Sequence, residues 1–351
     1  MTIDILEKMP QTASAATGEV ILDVLNLRTS FRGRGGVARA VDGVSFALRK
    51  GETLGIVGES GCGKSVTSLS IMRLLPQPPA EIEADALMFA GTDLATASES
   101  DMRRLRGNRL SMIFQDPMTS LNPVLKIGRQ LTEGLIVHSG LSSRGANERA
   151  LKMLALVRVP EPSRIMRSYP HELSGGMRQR IMIAMALSTN PEVLIADEPT
   201  TALDVTIQAQ ILSLMAGLRE RFDTGIIMIT HDLGVVAETC DRVLVMYGGR
   251  VVEEATVDAL FARPAHPYTV GLMRAVPRLD HAARKGEPYP LAEIPGVVPP
   301  LTEAMPGCRF APRCAFATLH CHAHKPELQP VGDRHRVACF ETERVMGAVN
   351  A

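Results

Sequence analysis

At 351 residues the chain has room for one large domain with an appendage, or for two domains, around a sizeable core. Its 38 Lys and Arg offset 38 Asp and Glu, so no basic balance argues for nucleic acid, and no nucleic-acid partner is expected. The apolar run Ile181 to Leu187 falls far short of the roughly 18 to 20 residues of a transmembrane helix. The first residues, with Asp4, Glu7 and Lys8, show no apolar segment of the secretory kind, and a cytoplasmic chain is expected.

Residues 1–18 read as a loose tail rich in Ala, Thr and Ser. From Val20, alternating apolar positions predict strands, interrupted by Arg32-Gly33-Arg34-Gly35-Gly36 and resumed through Val44, Phe46 and Leu48 to a turn at Lys50-Gly51. An antiparallel sheet follows from this, with Phe31 at the end of its first strands either stacking on a purine or simply half-buried. Thr53 to Val57 is a short apolar run predicted as a buried strand, and Val66, Leu69, Met72 and Leu75 recur at helical spacing up to Pro76. Between them lies Gly58-Glu59-Ser60-Gly61-Cys62-Gly63-Lys64-Ser65, which fits G-x-x-x-x-G-K-[ST] at each fixed position. Glycines let successive N–H groups and a helix N-terminus point at phosphate oxygens. Lys64 adds charge and Ser65 offers a magnesium ligand. The bland reading is a surface turn; a strand before and a helix after favour the phosphate site.

A Pro-rich connection follows Pro76, then a strand near Leu87 to Phe89 and a helix started by Ser98, with Asp101 three residues on. Leu110 to Phe114 reads as a strand ending at Gln115-Asp116-Pro117. The chain to about Ser188 is predicted mostly helical, cut by Pro160, Pro162 and Pro170, with the last helix taken from Met177. Val193 to Ala196 is a strand closing on Asp197-Glu198. Next come a helix with Ile207, Ile211, Met215 and Leu218 on one face and a strand, Ile226 to Ile229, closing on Thr230-His231-Asp232. Two further runs, Val243 to Met246 and Arg250 to Val252, flank a hairpin turn at Gly248-Gly249.

A carboxylate at the C-terminal edge of a parallel strand is what a P-loop ATPase needs for its second magnesium contact, and Asp197 occupies that place; Glu198 beside it can accept a hydrogen bond from an attacking water. Alone, an apolar run ending in Asp-Glu is most often a strand meeting its loop. Leu173-Ser174-Gly175-Gly176-Met177 opens a second helix N-terminus suited to an anion, although a lone S-G-G usually marks only a helix start. A histidine after a buried strand, as at His231, is by default structural.

Together these stretches resemble the nucleotide-binding subunit of an ABC transporter over about Val20 to Ala255. They supply its phosphate loop (Gly58 to Ser65), Q-loop glutamine (Gln115), signature (Leu173 to Met177), strand acid and base (Asp197, Glu198), D-loop (Ala202-Leu203-Asp204) and switch histidine (His231). The resemblance implies an α/β fold, with an ABC-type P-loop ATPase domain at 19–262 made of a mixed sheet core, an antiparallel β subdomain and a helical subdomain. It also implies ATP and Mg2+. Lys64 would hold β- and γ-phosphates, Ser65, Gln115 and Asp197 the metal, Glu198 the water, His231 the γ-phosphate, and Phe31 the adenine. Two subunits would face head to tail, so that Ser174 and Gly176 of one close over the nucleotide of the other, with Gly175 and Asp204 beside them.

His266-Pro267-Tyr268-Thr269, followed by Ala275-Val276-Pro277, is on physics alone a restricted turn before a helix. It resembles the segment after the ATPase domain of oligopeptide and dipeptide importers and their nickel-importing relatives. Cys308, Cys314, Cys321 and Cys339 cluster in the resulting C-terminal extension, 263–351, apart from Cys62 and Cys240. In a reducing cytoplasm that argues for metal over disulfides. The spacing leaves zinc, an iron-sulfur cluster or unrelated buried thiols open, with His320 and His322 as substitute ligands. Resemblance of Gly307 to Cys314 to the peptide-importer tail favours a [4Fe-4S] cluster over Zn2+, in a structural role remote from hydrolysis. The family implies ATP-driven import of di- or oligopeptides, a second ABC ATPase as heterodimer partner, two transmembrane permease subunits and an external substrate-binding protein. It places the chain peripherally on the cytoplasmic face of the inner membrane. Nickel or sugar import stays open. A soluble repair or translation ATPase would show a long coiled coil or a second ATPase domain, and an iron-sulfur-assembly ATPase would not need His266-Pro267-Tyr268.

Overall fold

Thr53–Val57, Leu110–Ile113, Val193–Asp197 and Gly225–Ile229 are buried at every position, the pattern of strands covered on both faces, as parallel sheets are. In the computed structural model, which describes residues 18–33, 36–200, 203–275, 293–302 and 305–349, these runs form the parallel part of one sheet. The strands in chain order are β1 (Val20–Gly33), β2 (Gly36–Arg49), β3 (Thr53–Val57), β4 (Ala80–Glu83), β5 (Ala86–Phe89), β6 (Thr92–Asp93), β7 (Leu110–Ile113), β8 (Val193–Asp197), β9 (Gly225–Ile229), β10 (Arg242–Tyr247), β11 (Arg250–Thr256), β12 (Gln329–Gly332) and β13 (His335–Val337). The larger sheet runs β12-β13-β11-β10-β3-β9-β8-β7. From β10 to β7 each strand is parallel to the next, and β11, β13 and β12 extend the β10 edge antiparallel.

β1 and β2 make a long hairpin within an antiparallel sheet of order β2-β1-β5-β6, with β4 also on β1. Leu22, Val44, Leu48 and Phe89 of this sheet share a core with Leu54, Ile56 and Ile227 of the larger one. A helical layer lies at the other side, built from α3 (Pro117–Ser120), α4 (Ile127–Ser139), α5 (Ser143–Leu156), α6 (Pro162–Ile165) and α7 (Gly175–Leu187). They come after α1 (Lys64–Ile71) and α2 (Glu99–Leu105) in the chain. Leu131, Leu135, Ala150 and Leu154 there pack with Ile181 and Leu187. The chain continues through α8 (Val205–Phe222), α9 (Leu233–Thr239), α10 (Val257–Ala262), α11 (Pro267–Arg274), α12 (Leu319–Ala323) and α13 (Thr342–Val349). A third core joins Val57, Val245 and Tyr247 of the sheet to Leu260, Tyr268 and Phe310 beyond it. The mixed sheet, antiparallel sheet and helical layer are those that the resemblance implied.

Ser98 caps α2 as its sequence pattern predicts, its Oγ accepting from the Asp101 N–H at 3.2 Å. Elsewhere the structure departs from the sequence reading. α1 stops at Ile71, well before Pro76, because the chain turns at Arg73, which takes a positive φ of 50°. α7 begins at Gly175, two residues before Met177, because the Ser174 hydroxyl accepts from the Met177 N–H and starts the helix there. The tail, for which no strand is predicted above, supplies β12 and β13, and β13 pairs Val337 and Arg336 with Glu253 and Glu254 of β11.

Candidate active site

Because β3, β9, β8 and β7 are successive parallel neighbours, their C-terminal ends stand in a row, and the chain leaves each end through one of the predicted motifs. Gly58 follows β3, Thr230-His231 follows β9, Glu198 follows β8 and Phe114-Gln115 follows β7. This edge of a parallel sheet is where ligands bind in open α/β folds.

The phosphate loop is shaped by close approach. A Cβ on Gly63, at φ +103°, would lie 2.3 Å from the Ala40 carbonyl oxygen, and one on Gly58 would lie 2.2 Å from that of Met246, so any side chain would displace the loop. Lys64 opens α1 and is buried, its ammonium donating to the Gly58 carbonyl at 2.7 Å and the Glu59 carbonyl at 3.1 Å. Beside it, Ser65 stands near enough to the Asp197 carboxylate to favour its charged form. Asp197 is 2% exposed, and its Oδ1 has no hydrogen-bond partner. Burial pushes this carboxyl above the ordinary carboxylate range; the Ser65 hydroxyl nearby opposes that shift, and the Glu198 charge adds to it. A buried carboxylate oxygen without a partner, next to a hydroxyl, is a pair of hard oxygen donors that fits Mg2+.

Glu198 adopts φ +47°, an uncommon conformation for a non-glycine residue. Its N–H donates to the Ile229 carbonyl at 2.9 Å, tying it to β9. His231 Nδ1 lies 3.3 Å from Glu198 Oε1, with the imidazole largely open to solvent and the Glu198 side chain largely buried. Gln115 is exposed just past β7, ahead of Asp116, which caps α3 by accepting from the Met118 N–H at 2.7 Å. Phe31 is half-buried in β1, between Ala38 of β2 and Ala80 of β4.

Ser174 and Gly175 are exposed at the start of α7, with Gly176 half-buried behind them, and α7 packs on α3, α4, α5 and β7 in the helical layer. Asp204 caps α8, accepting from the Ile207 N–H at 3.0 Å; Ala202 of the expected D-loop lies outside the described residues. The helix end and the phosphate loop thus belong to different layers of the molecule.

Two residues that served the sequence reading only as family markers touch the phosphate loop. The Tyr268 hydroxyl accepts from the Glu59 N–H at 2.7 Å. Arg313 grips the Glu59 carboxylate with both terminal nitrogens, at 2.7 and 3.1 Å. The signal was in the sequence, an arginine immediately before Cys314 and a tyrosine after His-Pro, but 254 residues separate Arg313 from Glu59. The expectation that the tail stands remote from the ATP motifs is corrected by these contacts.

Cys308, Cys314, Cys321 and Cys339 line one narrow cavity with His266, Phe310 and Phe340. Backbone N–H groups of Phe316 and Glu341 donate to the sulfurs of Cys314 and Cys339, each at 3.4 Å. Burial pushes the Cys339 thiol up to about 12, and the other three cysteines push the same way. Among the described residues, however, no three His, Cys, Asp or Glu side chains stand close enough to hold a metal ion. The four thiols are gathered without forming the closed ligand set that the sequence reading expected. His320 stacks on His324, with ring centroids 4.3 Å apart, and His322 is exposed.

Residues 41–201 match the family model described as ABC transporter, and 252–321 match that of the oligopeptide/dipeptide transporter C-terminal region. The chain is 56% identical over 328 residues to a probable peptide ABC transporter ATP-binding protein of Sinorhizobium fredii, covering 93% of this chain and 97% of that one. It is 51% identical to the oligopeptide transport ATP-binding protein OppD of Bacillus subtilis, over 90% of this chain and 87% of the relative. Among solved structures, a dimeric bacterial ABC transporter cassette superposes with a TM-score of 0.61 at 27% identity, covering 68% of this chain and 99% of its own. A dimeric cassette in a post-hydrolysis state bound to ADP and Pi gives 0.60, also at 27% identity, with the same coverage. Among the described residues no helix is long and apolar enough to cross a membrane.

Proposed function

Because the chain belongs to the ATP-binding proteins of the oligopeptide and dipeptide ABC transporters, we propose that it hydrolyses ATP to drive the import of di- or oligopeptides. The observation that carries the chemistry is the row of strand ends at which Lys64, the unpartnered Asp197 oxygen, Glu198 and His231 lie together. Lys64 and the loop N–H groups hold the β- and γ-phosphates, and Ser65, Asp197 and Gln115 would hold Mg2+, which would neutralise phosphate charge. Glu198 accepts the proton of the attacking water as the water oxygen bonds to the γ-phosphorus and the bond to the β–γ bridging oxygen breaks. His231, 3.3 Å from that carboxylate, contacts the γ-phosphate, and Phe31 stacks on adenine.

Ser174 and Gly176 of a facing subunit, flanked by Gly175 and Asp204, complete each nucleotide site. The exposure of Ser174 and Gly175 at the start of α7 supports this reading, as does the dimeric state of the two similar cassettes. The facing subunit is a second, different ABC ATPase, and both sit against two permeases on the cytoplasmic face of the membrane, with an external binding protein delivering peptide. Cys308, Cys314, Cys321 and Cys339, which line one cavity, would have to draw closer together to hold the [4Fe-4S] cluster, or the zinc, that would staple the extension. Uptake of labelled di- and pentapeptides into proteoliposomes holding the chain with its permeases, partner ATPase and binding protein tests the function. Peptide uptake that follows ATP supports it, and uptake of nickel or sugar without peptide overturns it. Iron, sulfide and zinc analysis after anaerobic purification tests the cluster, and zinc without sulfide removes it.

A further inference from the structure

Glu59 has three polar ends, and each is held. Its N–H donates to the Tyr268 hydroxyl, its carbonyl accepts from Lys64, and its carboxylate is forked by Arg313. Two of the three holders come from beyond the ATPase motifs. Arg313 is fixed in its turn: its side chain is 4% exposed, its guanidinium donates to the carbonyls of Pro295 at 2.9 Å and Ile294 at 3.0 Å, and it lies over the rings of Tyr247 and Phe310. Tyr268 is locked edge-on against Tyr247, with centroids 4.8 Å apart. Both holders are thus fixed by contacts of their own, outside the loop they hold.

We propose that Arg313 and Tyr268 are positioning residues for ATP binding: they fix Glu59, and through the Glu59 carbonyl they set where the Lys64 ammonium rests. An N–H committed to Tyr268 cannot turn toward phosphate, so the loop is confined to the conformation in which the later N–H groups, from Gly61 to Ser65, face the anion. A bidentate guanidinium–carboxylate pair adds angular definition that a single bond lacks. The Tyr268 bond holds the Gly58–Glu59 peptide, whose carbonyl accepts from Lys64 at 2.7 Å; freed from both holders, the peptides on either side of Glu59 can rotate, and the two acceptor carbonyls of Lys64 rotate with them. That preorganisation acts on ground-state binding of the nucleotide, whereas the water-activating pair Glu198 and His231 hangs from other strands. This inference rests on the ATP-site reading above.

The test uses the full chain, with the partner ATPase present for the turnover measurements. Kd for a fluorescent ATP analogue, KM and kcat from phosphate release, and circular-dichroism melting are compared for the parent, Arg313→Lys, Tyr268→Phe, Glu59→Gln and the double variant Glu59→Gln/Arg313→Lys. Each single change is expected to raise Kd and KM about fivefold to tenfold, the scale of one net hydrogen bond, with kcat held within about twofold. The double variant is expected to match the worse single one, because one interaction has been removed twice. Tyr268→Phe deletes one oxygen and keeps the ring contacts, so it decides the matter if Arg313→Lys melts early. Kd at the parental value in a Tyr268→Phe protein that melts like the parent overturns the proposal, and so does a double variant whose effects multiply. A parent that binds no nucleotide overturns the active-site reading and this inference with it.

Discussion

The two ends of the larger sheet treat their polar groups in opposite ways. At the β3-β9-β8-β7 edge, Asp197 keeps an oxygen without a partner, Glu198 sits at positive φ, and His231 and Gln115 reach into solvent. Around β11 and the extension the buried charges are closed off. Glu253, 0% exposed, accepts from the N–H groups of Ala265 and His266 at 2.7 and 2.9 Å and from His335 Nε2 at 2.7 Å. Arg242 there bridges Glu52 and Glu254. A site that must receive a charged ligand leaves bonds open for it, while a junction that must not move fills them. Glu59 lies on the border, a member of the open site held by the closed one.

Four substitutions press on that contrast. Glu198→Gln, at the open edge, should lower the ATPase rate by about 10² to 10⁴, the usual share of a positioned base, while nucleotide affinity stays near parental; a phosphate-release assay with the partner ATPase reads it. Glu253→Leu, at the closed junction, should leave three buried donors without an acceptor and cost about 3 kcal/mol or more of stability, measured by urea titration. If the variant unfolds at the parental urea concentration, the junction is not the clamp described.

His266 gives the junction a pH signature. Its ring is buried and caps α11 by accepting from the Tyr268 N–H, and burial pushes its pKa down to about 4 from the ordinary 6.5, with Glu253 pulling weakly the other way. The unfolded chain takes up the proton below 6.5 and the folded chain only near 4. The stability contribution is therefore whole above 6.5 and lost as pH falls from 6.5 to 4, by about 3 kcal/mol. His266→Asn, which can still cap the helix, should flatten that part of the stability profile relative to the parent. The smallest effect is expected far from both regions: Ser98→Ala should cost about 1 kcal/mol through loss of the α2 cap, read as a small shift of the urea midpoint with unchanged ATPase activity.

The open edge was legible in the sequence because its chemistry dictates residue types at fixed spacing. The phosphate loop, Asp197-Glu198 and His231 each follow an apolar run that could only be a buried strand, and the parallel order then brings them side by side. The closed junction was much less legible. β13 is three residues long, too short for a period to show, and the Arg313–Glu59 pair spans 254 residues with nothing local to announce it. The end of α1 was missed because Arg73 turns at positive φ without a glycine, and the start of α7 because a serine-glycine-glycine run has poor intrinsic helicity that its cap overcomes. The cysteines illustrate a different limit. Their clustering was plain, but whether four thiols converge on one ion depends on ångström-scale geometry that spacing does not carry.

Arg313 also fixes a sequence of events during synthesis. The phosphate loop leaves the ribosome 254 residues ahead of the arginine that grips it, which at about 5 to 20 residues per second is a delay of roughly 10 to 50 seconds. Through that interval the strands from β3 to β10 can assemble, yet Glu59 has no guanidinium partner and β11 has no β13 on its outer edge. A nascent chain halted before Arg313 would carry every recognised ATP motif, and Tyr268 as well, while still lacking the guanidinium that grips Glu59, so the last of the ATP affinity, about fivefold to tenfold, is expected to arrive with the tail and not with the motifs.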